Sequence, residues 1–289
     1  MALISNEGEP VTRWWISKGL EVVKTERDIF SKSKMRSARL KFIAGANRLG
    51  TIKGWMSSSQ LVDNKKSPRE YELTNYGLAI LDNDPKLVKS TTWWSFHISL
   101  CFSPNSEPYP YFFKGLESIT KDWIFWSDML DKTKKNLVDE EGSQYKDSTI
   151  ESVLSSVRRM FENDNPLAEL GLIEIRKERQ GSGMSIRLGS PILTDEILIH
   201  ALAMCRFTYF KSRESVDFSA LAQTGLPNFL CCSKDQLRQH YQRMSQMHQW
   251  QSYFSFDRAV DLESITFKDA CAPDKTVLLL LQKGQDTWM

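Results

Sequence analysis

Positively charged side chains that could bind phosphate are concentrated in one short part of the chain. Residues 32–69 contain ten lysines and arginines and a single acid, Asp63, which is an excess of nine positive charges. The whole chain carries only +2, so the remainder is net negative. A local excess of this kind is typical of a surface that binds a polyanion, and we expect that polyanion to be a nucleic-acid backbone. A solvated basic face on an ordinary helical domain is the alternative interpretation.

The side chains of this segment suit two kinds of DNA contact. Ser and Gln hydrogen-bond to base edges in the major groove, whereas Lys and Arg bind phosphates. The residues expected to face the major groove, with the lysine nearer the phosphates, are Lys53, Ser57, Ser58 and Gln60. The residues expected to contact the DNA backbone are Arg39, Arg48, Lys65, Lys66 and Arg69.

A helix-turn-helix would position these side chains. Apolar spacing predicts a first helix over residues 40–49, with Asn47 on its inner face. Gly50 would end this helix as a glycine C-cap. A second helix is predicted over residues 53–62, with its polar side chains outward.

A short hairpin is predicted to follow the two helices. Residues 64–69 have the composition of a loop or wing tip, and residues 71–73 that of a short strand. Thr74 is predicted to be the N-cap of the next helix. Two helices followed by a wing predict an N-terminal winged helix-turn-helix that binds double-stranded DNA.

Three residues could in principle support metal-dependent phosphodiester cleavage: Asp164, Glu174 and Lys177. That reaction needs carboxylates that converge on one or two divalent ions, with a lysine nearby. An acid and a lysine on one face of a strand are two residues apart, whereas Glu174 and Lys177 are three apart. We therefore expect Asp164 to stabilise a turn, and the sequence identifies no catalytic residue.

Other residue types with chemical potential favour structural roles. The zinc-ligand types are present in Cys231, Cys232, His240 and His248, but adjacent cysteines and histidines eight residues apart do not match the usual pairs, so we expect no metal site. His97 lies in a tryptophan-rich apolar stretch and is expected to be a core histidine. The chain has no Walker loop, dinucleotide-binding glycine motif or serine nucleophile elbow, which argues against nucleotide hydrolysis and acyl transfer.

Composition is typical of a soluble globular protein, with 41% hydrophobic and 26% charged residues. No apolar stretch approaches the roughly 20 residues that a membrane helix needs, and residues 277–281 are strand-sized. We expect no membrane partner. The N-terminus lacks the pattern of a secretory signal, so a cytoplasmic location is expected. Five cysteines, an odd number, are expected to be reduced thiols.

The pattern along the chain predicts a mainly α protein with short β hairpins, an α+β fold. Residues 1–135 are expected to form a winged-helix DNA-binding domain with packed aromatic helices, among them a core helix over residues 87–102. Residues 136–289 are expected to form a helical domain with a basic hairpin near Gly181 and a second winged-helix-like module at the C-terminus. The middle of the chain is expected to be helical, and residues 131–146 to be a linker.

The order of several short motifs resembles the SspB-like family that is associated with bacterial DNA phosphorothioation. The motifs are Arg13-Trp14-Trp15, Leu49-Gly50-Thr51-Ile52-Lys53, Leu73-Thr74-Asn75-Tyr76-Gly77, Thr92-Trp93-Trp94-Ser95-Phe96-His97 and Pro166-Leu167-Ala168-Glu169-Leu170-Gly171-Leu172. They extend over nearly the whole chain. The resemblance implies a DNA-nicking component of a phage-defence system that works with a cysteine desulfurase and an ATPase.

Three functions remain open from the sequence. The first is a nickase, for which a divalent metal such as Mg²⁺ or Mn²⁺ would be the cofactor. The second is a DNA-binding module that recruits sulfur-transfer partners without cutting. This chain lacks the family's opening Gly-His-Glu-Thr-Phe phrase around Gly8 to Thr12, which keeps the second function open. The third is a winged-helix transcriptional regulator, for which the sequence shows no effector pocket.

Overall fold

Helices build most of this protein in a computed structural model of the chain. The structure describes residues 9–64, 67, 69–116, 121–141, 145–162, 165–177, 183–259 and 262–283. Its strands form three small antiparallel sheets of two or three strands each. The predicted fold class, mainly α with short β hairpins, is confirmed.

The chain begins with a unit of three helices and a two-stranded hairpin, which we call the N-terminal unit. Its elements are α1 (Arg13–Thr25), α2 (Met35–Phe42), α3 (Ala46–Ser58), β1 (Val62–Asp63) and β2 (Glu72–Leu73). A 3-10 turn precedes α2. In the hairpin Val62 pairs with Leu73, and Asp63 with Glu72.

The break between α2 and α3 lies at Ile43, whereas the sequence predicted a break seven residues later, at Gly50. Ile43 adopts the left-handed conformation, with φ 47°, and α3 starts after Gly45 and runs through Gly50. The prediction of a helix end at Gly50 was therefore wrong. The buried side chains of α3, among them Leu49, Ile52 and Trp55, continue across the glycine, and their packing outweighs its local preference for a helix end.

A tight backbone contact joins the hairpin to α4 (Asn75–Asn83). Thr74 is the N-cap of α4, as predicted: its hydroxyl oxygen accepts from the Gly77 N–H at 3.0 Å. The same hydroxyl donates to the Gln60 carbonyl at 2.7 Å. A Cβ on Gly77 would lie 2.2 Å from the Leu61 carbonyl oxygen, so only glycine lets α4 approach this closely.

The aromatic helix α5 (Ser90–Phe102) is buried from Thr92 to its end and forms the centre of the molecule, as predicted for residues 87–102. Its N-terminus is held by Asp84, whose carboxylate accepts from the Val88 and Lys89 N–H groups and from the Thr92 hydroxyl. The short helix α6 (Tyr109–Lys114) packs beside it.

The middle of the chain contains a three-stranded sheet as well as helices. Its elements are β3 (Ile124–Phe125), α7 (Trp126–Glu141), α8 (Asp147–Arg159), β4 (Ile173–Lys177) and β5 (Met184–Leu188), and the sheet order is β3-β5-β4. The predicted linker over residues 131–146 was wrong over most of its length, because α7 continues to Glu141. Met129, Thr133 and Leu137 recur every four residues as its buried face.

The last part of the chain contains another three-stranded sheet together with further helices. Its elements are α9 (Asp195–Tyr209), β6 (Ser215–Asp217), α10 (Phe218–Gln223), α11 (Leu226–Phe229), α12 (Lys234–Ser245), β7 (Phe254–Ala259), β8 (Leu262–Phe267) and α13 (Pro273–Lys283). The sheet order is β6-β8-β7, so in both sheets the first strand pairs with the third. The apolar run at residues 277–281 belongs to α13, because its neighbours continue the helix.

The expected boundary between residues 135 and 136 falls inside α7. Strand β3 precedes this boundary and β5 follows it, yet the two strands pair, with Ile124 opposite Ile186. Helix α5 packs against α9 and α13, which also lie beyond the boundary. The two halves therefore share a sheet and a core. None of the helices in the described ranges combines the length and apolarity of a membrane span.

Candidate nucleic-acid interface

Helix α3 presents a narrow strip of its surface to solvent. Ile52, Trp55 and Met56 are buried, whereas the half-buried positions recur every three or four residues at Ala46, Gly50, Lys53 and Ser57. Along this helix only Asn47 and Arg48, in the first turn, are exposed. The amino-terminal end of α3 is thus its accessible part.

Arg48 is positioned by an aromatic ring of α1. Its guanidinium lies 5.3 Å from the centre of the Trp15 ring, within the range of a cation–π contact. Arg48 is exposed and has no acidic partner among the described residues. The stacking restrains the long side chain without neutralising its charge.

Helix α2 carries two further cations beside this turn. Arg36 and Arg39 are exposed, lie three residues apart and have no acidic partner in the part of the chain that the structure describes. Two other basic residues of the segment are paired with acids: Lys41 binds Glu26, and Lys34 lies 4.0 Å from Asp28. The unpaired charge is therefore concentrated at α2 and the start of α3.

The base of the hairpin is fixed to the loop after α1. The Tyr71 N–H donates to the Arg27 carbonyl at 2.8 Å, and the Arg27 guanidinium binds the Glu72 carboxylate. Arg69 is exposed near the tip. Two further predicted contacts of the tip, Lys65 and Lys66, lie outside the described residues.

Two of the residues predicted to contact the major groove are not on the exposed surface of α3. Ser58 is 3% exposed and donates its hydroxyl to the Asn105 carbonyl at 2.7 Å, because the loop after α5 covers the carboxyl end of α3. Gln60 lies beyond the helix, in a left-handed conformation with φ 61°, and its carbonyl accepts from Thr74. The prediction that both side chains are available on the second helix was wrong.

The structure adds Asn47 to the candidate contacts. The sequence placed this residue on the inner face because the predicted helix ended at Gly50. With α3 starting at Ala46, Asn47 is in the exposed first turn. The apolar spacing of residues 49–56, taken as one continuous helix, is the sequence signal that could have identified it.

Several arginines in the later parts of the chain are paired with acids. On α12, Arg238 binds Glu263 at 2.7 Å and Arg243 binds Asp195. In the middle sheet, Arg187 of β5 binds Glu174 at 2.7 Å. Arg36, Arg39 and Arg48 differ from these three arginines in having no acidic partner among the described residues.

The basic β4–β5 hairpin is organised around one tryptophan. The guanidiniums of Arg176 and Arg187 lie 4.3 Å and 4.6 Å from the centre of the Trp123 ring. Both arginines are on the face that also carries Glu174. This stacking explains the position of the two arginines within the sheet.

The residues considered for cleavage chemistry are not brought together. Glu174 forms an ion pair with Arg187, and Lys177 points to the other face of β4. Asp164 lies outside the described residues. Within the described ranges, no three His, Cys, Asp or Glu side chains form a group that could hold a metal ion. These residues therefore do not fit an all-protein magnesium site.

The zinc-ligand types are also dispersed, and His97 has a structural role. Cys231 is buried and donates to the Leu172 carbonyl at 3.3 Å, whereas His248 is exposed. His97 Nδ1 accepts from the Tyr109 hydroxyl at 2.8 Å, and its Nε2–H donates to the Phe229 carbonyl at 2.7 Å. Burial lowers the pKa of His97 to about 4, so the ring is neutral at pH 7.

The fold is shared with solved structures of SspB. A magnesium-ion-bound SspB crystal structure aligns with a TM-score of 0.77 at 17% sequence identity, over 98% of this chain and 87% of that chain. A further SspB crystal structure aligns with a TM-score of 0.73 at 16% identity, with the same coverage. The expected SspB-like fold is thereby confirmed.

The family of the chain follows from its sequence. Residues 9–281 match the family described as a protein of unknown function, DUF4007, and the chain belongs to that family. No curated protein sequence matches this chain.

Proposed function

We propose that this protein binds double-stranded DNA through its N-terminal unit, as a component of a phosphorothioation system. The observation that carries the proposal is the group of unpaired cations at α2 and the start of α3, next to a hairpin. Three helices followed by a β-hairpin is the order of a winged helix-turn-helix, in which the amino-terminal residues of the third helix contact base edges.

In this proposal α3 enters the major groove with its first turn. The Asn47 amide has the donor and acceptor arrangement that pairs with adenine, and Lys53 and Ser57 follow along the same helix. Phosphates are contacted by the cations around it: Arg36, Arg39, Arg48, Lys65, Lys66 and Arg69. Ser58 and Gln60 are not part of the contact.

Fluorescence anisotropy of a labelled duplex tests DNA binding. The wild-type chain is expected to bind at low salt, and the Arg36→Gln/Arg39→Gln variant to bind roughly tenfold more weakly, because two phosphate contacts are lost. The matched variant Arg213→Gln/Lys268→Gln removes two charges from an exposed region far along the chain and should bind like the wild type. Equal affinity of all three proteins would remove the proposal.

The phosphorothioation context rests on the fold shared with SspB. We propose a cysteine desulfurase and an ATPase of the same system as partners. Size-exclusion chromatography of the purified proteins, mixed with and without duplex DNA, tests this. Co-elution supports the partnership, and separate elution under both conditions contradicts it.

DNA nicking is a second candidate function, which the fold shared with magnesium-bound SspB favours. Supercoiled plasmid incubated with the protein and Mg²⁺ or Mn²⁺ should yield open-circular product. If every metal leaves the plasmid supercoiled while duplex binding is intact, the protein is a binding module instead.

A further inference from the structure

A cleft of about 580 Å³ lies beside the hairpin of the N-terminal unit. One wall comes from the hairpin and the start of α4, including Asp63, Glu72 and Tyr76, and the other comes from α9 and α13. This volume is within the range of sites that bind small organic molecules. The proposed DNA contacts on α2 and α3 do not line this cleft.

The charge of the cleft is negative. Carboxylates of Asp63, Glu72 and Asp274 line it, and no Lys or Arg is among its described lining residues. Asp63 and Glu72 are directly opposite in the hairpin, where two like charges repel unless a cation lies nearby. Arg27 binds Glu72. Arg27 therefore already offsets the charge of Glu72, whereas Asp63 has no basic partner among the described residues and its carboxylate is left for a cation in the cleft.

A buried hydrogen-bond acceptor lines the same cleft. His200 is only 3% exposed. The Thr276 hydroxyl donates its proton to the Ala272 carbonyl at 3.0 Å, so it accepts from His200 Nδ1–H, also at 3.0 Å. Nε2 therefore carries a lone pair, and it has no partner among the described residues. Burial lowers the pKa of His200 to about 3, which keeps the ring neutral.

The side of the cleft formed by α9 and α13 is apolar. Met204, Phe207 and Val277 line it, and Phe207 is 52% exposed although it is a large aromatic residue. The Lys211 ammonium lies 4.2 Å from the centre of this ring, so the part of Phe207 that stays exposed suits the flat apolar body of a ligand and not its positive group.

We propose that this cleft binds an organic amine, with the ammonium group at Asp63 and Asp274 and the apolar body against Phe207 and Met204. The ligand donates hydrogen bonds, because the lining offers carboxylates and the lone pair of His200 as acceptors. Anions of the same shape are repelled by the carboxylates of Asp63 and Asp274, since Glu72 is paired with Arg27.

Isothermal titration calorimetry with two probes of the same ring tests the proposal. Tryptamine carries an ammonium on an indole, and indole-3-propionate carries a carboxylate on it. Tryptamine should bind and indole-3-propionate should not. The Asp63→Asn/Asp274→Asn variant should bind tryptamine roughly tenfold more weakly, because two charge-assisted contacts are lost.

Two further variants separate the cleft from general charge and from unfolding. Phe207→Ala should weaken tryptamine binding without any change of charge, whereas Asp122→Asn, an exposed acid outside the cleft, should leave it unchanged. Circular dichroism checks that each variant is folded. Absent binding of tryptamine, equal binding of both probes, or equal loss in the Asp122→Asn and Asp63→Asn/Asp274→Asn variants would overturn the proposal.

Discussion

Individual side chains of α3 have roles that depend on what covers them. Ser58 and Asn47 are both small hydrogen-bonding residues, but the loop after α5 covers Ser58, whereas Asn47 is exposed. Ser58 therefore contributes to folding, and in our account Asn47 contributes to binding.

Alanine substitutions distinguish the two residues. Ser58→Ala should lower the free energy of unfolding by about 1 kcal/mol, because the Asn105 carbonyl loses its donor, and should leave DNA affinity unchanged. Asn47→Ala should weaken binding to a duplex selected from a randomised pool by about 1 to 3 kcal/mol and leave stability unchanged. Urea unfolding and anisotropy measure the two quantities, and the reverse pattern would show that the assignment of the two faces is wrong.

His97 makes the stability of the folded chain depend on pH. Its pKa is about 4 in the folded protein, below the ordinary value of about 6.5 for an unfolded chain. Between these values only the unfolded chain binds the proton. Stability is therefore complete above about pH 6.5 and decreases as the pH falls towards 4.

Urea unfolding at pH 7 and pH 5 measures this contribution. The wild type should lose about 2 kcal/mol more between the two pH values than His97→Gln, which cannot bind the proton. His248→Gln replaces an exposed histidine and should behave like the wild type. A loss in His97→Gln as large as in the wild type would show that His97 is not the titrating group.

Among the elements, the long apolar helix was predictable and the shortest strands were not. The apolar composition of residues 87–102 located α5, which is buried on all sides from Thr92 to its end. The end of α2 was missed because Ile43 is left-handed and 81% exposed, a combination that no local propensity favours. Strand β3 has two residues and exists only through its pairing with β5, which is distant in sequence.

The candidate contacts were predictable by charge but not by orientation. The basic composition located the segment with Arg39 and Arg48, which are exposed. Ser58 and Gln60 were assigned from the wrong helix bounds, and their surroundings depend on Asn105 and Thr74, which only the folded chain brings near.

The junction of the hairpin and α4 gives a sharp test of the packing. Gly77→Ser would place a Cβ 2.2 Å from the Leu61 carbonyl oxygen, so we expect the free energy of unfolding to fall by roughly 2 kcal/mol or more. Gly45→Ser is the matched control, because no atom lies within 4 Å of a Cβ there and serine suits a helix N-cap. Equal stability of the two variants would contradict the close approach of α4.

On the scale of the whole molecule, the parts of the chain depend on one another through α5. Trp93, Phe96 and Leu100 are completely buried, and α9 and α13 pack against this helix. A boundary near residue 135 would expose that surface and would separate β3 from β5.

A truncated chain tests this dependence. The fragment of residues 1–135 should show no cooperative thermal transition, because the apolar surface of α5 loses its cover. Near-ultraviolet circular dichroism, compared with that of the full chain, reports the packing of the tryptophans. A cooperative transition with the tryptophan signal of the intact protein would show that the fragment is an independent domain.

The central claim is that the positive charge of the N-terminal unit, including that of α2 and α3, binds phosphates while the positive charge in the later parts of the chain does not. The most direct measurement is the dependence of the duplex association constant on salt. For Arg36→Gln/Arg39→Gln/Arg48→Gln we predict a log–log slope that is shallower by about 2 to 3, since each phosphate contact contributes about 0.9. For Arg213→Gln/Lys268→Gln/Lys275→Gln we predict the wild-type slope. Equal slopes for the two triple variants would contradict the account.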